Sequence, residues 1–266
     1  MKPRLNYSFM ALTLLVFASL NSICFAQGNL TPPGAPGPTM KSLDQIEPRI
    51  PVDAVHTPGG VGIQYLITQS GSYYLTTNLV GVSGDIGIYI GASDVTLDLN
   101  GFSMLGSPGA FFGISIASGN ANITVRNGNI SGWSIEPGIY NNATHVVLEH
   151  LNLSGNEQGL NCANDTVIRD CVVSDSGLDG IILGNNSTVT GCLVQSNAYN
   201  GISVQGNGNI VSGNNFCGNN TSSSFGVSAI NVTGSYNRVE DNHVTGTGFS
   251  GNGIRSEERR VGKECA

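Results

Sequence analysis

Carboxylates recur at matched places ahead of a repeated glycine. Glu136 precedes Gly138, Glu157 precedes Gly159, and Asp175 and Asp179 precede Gly180, while Asp94 and Asp165 fall on the far side of the segment that each such glycine opens. Two carboxylates held about 5–10 Å apart suffice for acid–base cleavage of a glycosidic bond, and a cluster of carboxylate oxygens can hold Ca2+. If copies of this segment stack about 4.8 Å apart, Glu157 and Asp179 approach each other across a groove from Asp165. These three are the candidate catalytic or Ca2+-binding carboxylates. Solvated turn acids in an acidic chain are the simpler expectation and the preferred one, so no catalytic residue or cofactor is assigned beyond them.

Aromatic residues gather in the same pre-glycine stretches: Phe111, Phe112, Trp133, Tyr199, Phe225 and Phe249. Rings along one edge can stack on sugar rings, and Trp133 and Tyr199 also carry a polar handle. Trp133, Tyr199 and Phe225 are the candidate binding residues. His150 and Asp170 are placed to touch, but no nucleophile accompanies them, so a turn contact is expected. Cys171 and Cys192 share one repeat position, where both a disulfide and a ladder of free thiols fit. Cys162 reads as core filler and Cys217 as outward-facing. No cysteine or histidine spacing suits zinc.

What positions these groups is a glycine followed by an aliphatic residue, eight times over: Gly87-Ile88, Gly113-Ile114, Gly138-Ile139, Gly159-Leu160, Gly180-Ile181, Gly201-Ile202, Gly226-Val227 and Gly253-Ile254. The intervals are 26, 25, 21, 21, 21, 25 and 27 residues. Such a period marks a solenoid, whose repeats bury their apolar faces against one another. Each repeat holds three short strand signals and no helical period. The first puts its outer members inward and its middle member outward, giving an outward row of Tyr89, Ser115, Tyr140, Asn161, Ile182, Ser203 and Ser228. The second strand supplies an inward ladder of Leu99, Val125, Leu148, Ile168, Val189, Val211 and Val239. The third supplies Met104, Ile130, Leu153, Val173, Val194, Phe216 and Val244. Asn and Gly between strands suit the left-handed backbone of sharp corners. Arg126, Glu149 and Arg169 fall at one outward position on successive repeats, an alternating-charge ladder. The outward row of the first strand holds no carboxylate, Arg, Lys or His, so an acid–base pair or a lyase base with a cationic partner is not found there.

Both ends depart from this pattern. Residues 1–26, with Lys2 and Arg4, an apolar run from Met10 to Leu20 and a small residue at Ala26, read as a secretory signal, and no later run has the length of a membrane span. Residues 27–62 form a Pro/Gly-rich lead. Residues 255–266 lose the Gly/Asn/Ser/Thr texture, and 255–265 match one reading frame of a common sequencing adapter, so a truncated reading frame is expected. Without signal and tail the net charge falls from −7 to about −10, which argues against nucleic acid as a partner and against an unassisted grip on polyanionic sugars.

The Gly-Ile ladder, the strings Val95-Thr96-Leu97-Asp98-Leu99-Asn100-Gly101 and Gly71-Ser72-Tyr73-Tyr74-Leu75, and the lead from Met40 to Arg49 resemble exported bacterial right-handed parallel β-helix proteins of the pectin-lyase-like superfamily. The resemblance spans residues 30–254. It implies an all-β, right-handed parallel β-helix over residues 63–254, with about seven coils and an N-terminal cap. It also implies secretion to the periplasm, cell surface or medium. The superfamily hosts lyases, hydrolases, epimerases, tailspikes and adhesins, so the fold leaves activity open. The expected role is extracellular binding or surface structure, with a polysaccharide or cell-surface glycan as partner. The alternative is a polysaccharide lyase or glycoside hydrolase using the turn carboxylates.

Overall fold

A computed structural model describes residues 49–246 and 251–256. The chain divides into two units, Met1–Leu43 and Asp44–Ala266, and every described residue lies in the second. The expected secretory signal, Phe249 and residues 257–266 of the expected tail lie outside the described residues.

Short β-branched runs separated by Gly, Asn and Asp make strands three to five residues long in most coils, as the pattern requires. They form two sheets, one of ten strands and one of fifteen. Each turn of chain lays one strand in the ten-strand sheet, just after the glycine, then two in the other sheet on either side of a corner. In two coils that corner is bridged and the pair reads as one strand, Ala121–Ser131 and Thr144–Ser154. All pairings are parallel except one, Pro58–Gly60 against Ile63–Ile67, which folds over the first coil. Nine parallel strands, from Ile63–Ile67 to Asn252–Ser256, make a β-solenoid of about nine turns. The count exceeds the expected seven because Ile63–Ile67 already pairs in parallel with Ile86–Ile90, and Asn252–Ser256 adds a final strand. The sheet takes in the last part of the expected lead, since Ile50–Pro51 pairs with Tyr73–Tyr74.

The three inward ladders fill the core. Ile88, Ile114, Ile139, Leu160, Ile181 and Ile202 stack in register and are fully buried. The third-strand ladder runs from Met104 to Val244 as expected. Two positions differ. Val125 pairs with Leu97, not Leu99, because the corner Asn100-Gly101 makes that coil two residues longer. Leu99 is still fully buried, in the room that Gly128 leaves: a Cβ there would meet the Leu99 Cβ at 2.4 Å. At the eighth coil Ile202 pairs with Ile230, so Ala229, and not Gly226, stands in the glycine column. The outward row therefore runs through Asn231 to Arg255, and Ser228 is buried.

Corners repeat in columns of left-handed backbone. One holds Asp94, Asn122, His145, Asp165 and Asn186, and the next holds Asn127, His150 and Asp170, all with φ between 49° and 61°. Asn, Asp and His tolerate this region through local hydrogen bonding. Many other asparagines serve a second purpose that composition does not reveal. Asn197 and Asn219 point inward and are fully buried. Asn219 accepts the Asn197 N–H at 3.3 Å and donates from Nδ2 to the Val194 carbonyl at 2.9 Å, satisfying backbone groups that the bend leaves without ladder partners.

Candidate functional site

The outward row of the post-glycine sheet runs Leu66, Tyr89, Ser115, Tyr140, Asn161, Ile182, Ser203, Asn231. No titratable group other than the two tyrosines stands in it over these eight strands. Tyr89 is half-buried and its ring reaches over Gly91, where a Cβ would lie 3.3 Å from Cε1. Phe112, from the loop ahead of Gly113, stacks on Tyr140 with ring centroids 5.1 Å apart at 25°. Asn161 donates from Nδ2 to Gln158 Oε1 at 3.0 Å. The row thus presents aromatic surface, amides and a small floor residue, Ser115, within four adjacent coils. The Phe112–Tyr140 pair is the part that sequence reasoning did not assemble, although each residue was placed separately.

Charge is segregated around the solenoid. The described residues include five arginines and no lysine. Arg126 donates from Nε to Asp98 at 3.2 Å and Arg169 from Nε to Glu149 at 2.7 Å, on the opposite sheet. The expected register of Arg126, Glu149 and Arg169 holds, and it extends upward to Asp98. Arg49 lies over the Tyr74 ring at 4.7 Å, and Arg238 pairs with Glu240 at 2.7 Å. Asp98 and Glu149 are buried beneath these arginines.

The three candidate carboxylates are not gathered. Among the described residues no three His, Cys, Asp or Glu side chains form a group that could hold a metal ion. Asp165 sits at a left-handed corner beyond Leu160–Cys162 and lines a cavity of about 360 Å³ with His145, Val147, Val167 and Asn186. Glu157 is half-buried in the pre-glycine loop, its N–H bonded to the Trp133 carbonyl at 2.7 Å. Asp179 is engaged structurally: Oδ1 accepts from the Asn200 backbone N–H at 2.8 Å and from Nδ2 at 2.9 Å. Burial raises its pKa above the ordinary 3.8 despite these two bonds. A carboxyl with a raised folded-state pKa adds stability that is complete below its unfolded pKa and is lost as pH rises through the folded one. Asp179→Asn keeps the acceptor oxygen and removes the charge. It is therefore expected to raise the melting temperature at pH 7 by a few degrees and leave it unchanged at pH 3. An equal shift at both pH values would contradict the assignment.

The aromatic candidates divide. Trp133 is fully buried, and its Nε1 donates to the Met104 carbonyl at 3.4 Å, so it cannot stack on a ligand. It occupies the inward corner column that Asn156 continues, and Asn156 Oδ1 accepts the Trp133 backbone N–H at 3.1 Å. Phe225 is 92% exposed and Tyr199 39%; Tyr199 lies in the loop edge beside the row, and its carbonyl accepts the Asn220 N–H at 2.9 Å.

Cys171 and Cys192 stack as expected but are free thiols, not a disulfide. Each donates to the carbonyl two residues back, Arg169 and Thr190, at 3.3 Å. The adjoining Cys192 sulfur, together with burial, pushes the Cys171 thiol up, so it is held neutral. Cys162 is a core residue whose thiol burial pushes up to about 12, and Cys217 is exposed. His150 and Asp170 meet at 3.9 Å, too long for a hydrogen bond. Both line an open groove of about 440 Å³ floored by Gly101 and Gly128.

A family model described as right handed beta helix region matches residues 61–216. No curated protein and no solved structure matches the chain.

Proposed function

Because the chain belongs to the right handed beta helix family, a fold that offers long flat faces for extended ligands, we propose that it is an extracellular binding module. Its ligand is a carbohydrate held on the outward row of the post-glycine sheet. The observation that carries this reading is the half-buried aromatic surface of Tyr89, Phe112 and Tyr140, set beside Asn161 and Gln158 in the stretch of the row, Leu66 to Asn231, that carries no charged side chain. Sugar rings offer apolar faces to aromatic rings and hydroxyls to amides, so such a mixed strip suits them.

Tyr140→Ala tests it. Aromatic anchors dominate small interfaces, and losing about 1.4 kcal/mol is tenfold in affinity. Retention on immobilised polysaccharide is expected to fall about tenfold on that scale, with an unchanged circular dichroism spectrum. Unaltered retention removes the role of this row. The catalytic alternative rests on Glu157, Asp165 and Asp179, of which Asp179 is already bound to Asn200. Unsaturated products or new reducing ends that vanish in Glu157→Ala would replace binding by catalysis.

A further inference from the structure

Resting on that reading, we infer that the ligand is a neutral glycan with an extended, two-sugar repeat, of the β-1,4-linked kind, lying along the solenoid axis over Tyr89, Ser115, Tyr140 and Asn161. Two independent observations lead there.

The first is charge. The row carries no charged side chain from Leu66 to Asn231, and the loops beside it carry carboxylates, Asp85, Glu136 and Glu157 on one side and Asp94 and Asp165 on the other, with His145 between the last two and no arginine or lysine among them. Four of the five described arginines belong to the opposite sheet, where Asp98, Glu149 and Glu240 engage them. The fifth, Arg255, pairs beside Asn231 at the far end of the row. A polyuronate laid on Tyr89 to Asn161 would bring one negative charge per sugar within a Debye length, about 8–10 Å, of these acids with no arginine or lysine beside it. A neutral chain meets no such penalty.

The second is spacing. Tyr89 pairs with Ser115 and Ser115 with Tyr140, so the two tyrosines stand two strands apart with a small buried residue between them. Two strand spacings are about 9.5 Å. In an extended β-1,4-linked chain successive sugars are flipped, and the pattern repeats every second unit over close to this length. Alternate units then present the same face to Tyr89 and Tyr140, with the intervening unit over Ser115. An α-1,4-linked glucan coils and does not keep this step. The aromatic steps end at Tyr140, since Ile182 and Ser203 follow Asn161. Four adjacent coils span about 14 Å, so affinity should climb with chain length to about four sugars and then level.

The test is calorimetric titration of the full chain with cellohexaose, mannohexaose, maltohexaose and hexagalacturonate. The expected result is binding to one or both β-1,4-linked neutral hexamers about tenfold tighter than to the other two, insensitive to salt, and weakened about tenfold by Tyr89→Ala. Tighter hexagalacturonate binding, or affinity that falls with salt, overturns neutrality. Equal binding of maltohexaose overturns the two-sugar step. Either result leaves saccharide binding on this face intact. Binding to none of the four overturns this inference, and retention of no immobilised polysaccharide would also overturn the proposed function.

Discussion

Replacing Trp133 by alanine is expected to lower the free energy of unfolding by about 3–5 kcal/mol, the range for deleting a large buried aromatic ring. The ring fills space that several small residues vacate. A Cβ on Gly81 would lie 2.6 Å from Trp133 Cη2, one on Gly87 2.8 Å from the same atom, and one on Gly113 3.2 Å from Nε1. Alanine would leave a cavity spanning neighbouring coils and strip the Met104 carbonyl of its indole donor. Trp133→Phe keeps most of the packing and should cost less. Urea titration followed by circular dichroism measures both. At low temperature the folded fraction of Trp133→Ala should still bind glycan. A variant of native stability that has lost glycan retention would return Trp133 to the surface role its loop position suggests.

Gly159→Ala is the second large effect, and it acts through the backbone. A Cβ there would sit 2.3 Å from Val173 Cγ1 and 2.5 Å from the Gly180 carbonyl oxygen. That carbonyl accepts the Leu160 N–H at 2.9 Å, so the methyl group displaces an acceptor in the ladder joining two coils. Overpacking a well-filled site costs about 1–3 kcal/mol, and the disturbed pairing adds to it. Gly60→Ala is the control, since nothing lies within 4 Å of its Cβ position. It should change stability by less than about 0.5 kcal/mol. Equal denaturation midpoints for the two variants would show that the glycine column is not held by close approach.

Much of this arrangement was legible in the amino-acid order. Period and alternation fixed which side of the post-glycine sheet Tyr89 and Tyr140 occupy, and the arginine–glutamate ladder followed from the same counting. What misled were places where two signals competed. Gly226-Val227 looks like a ladder glycine, yet Gly226 lies in the loop ahead of Ser228–Val232, with φ at 77°. The column asks for a small residue with room, and Ala229 meets that need. Leu97 and Leu99 both suit an inward position, and only the longer corner decides between them. Trp133 was hidden because loop aromatics usually face water. Its neighbours did carry the answer: Ser131-Gly132-Trp133 repeats as Ser154-Gly155-Asn156 and Cys217-Gly218-Asn219, all at the inward corner. The half-buried state of Asp179 had no such signature: Asn200 stands before Gly201 just as Asp179 stands before Gly180, and spacing alone does not tell that the two bond across the coils.

The inward asparagines give the solenoid a direction. Asn156, Asn197, Asn219, Asn209, Asn237, Asn214 and Asn242 all reach toward the coil before them, with Oδ1 taking an N–H and Nδ2 giving to a carbonyl there. At these corners a coil's buried N–H is therefore left open until its successor folds over it. A chain made from its N-terminus grows as a vectorial ratchet, each coil sealing the one already laid. Peeling from the C-terminal end must reopen those seals, whereas loss of a coil from the other end exposes amide side chains that water can satisfy.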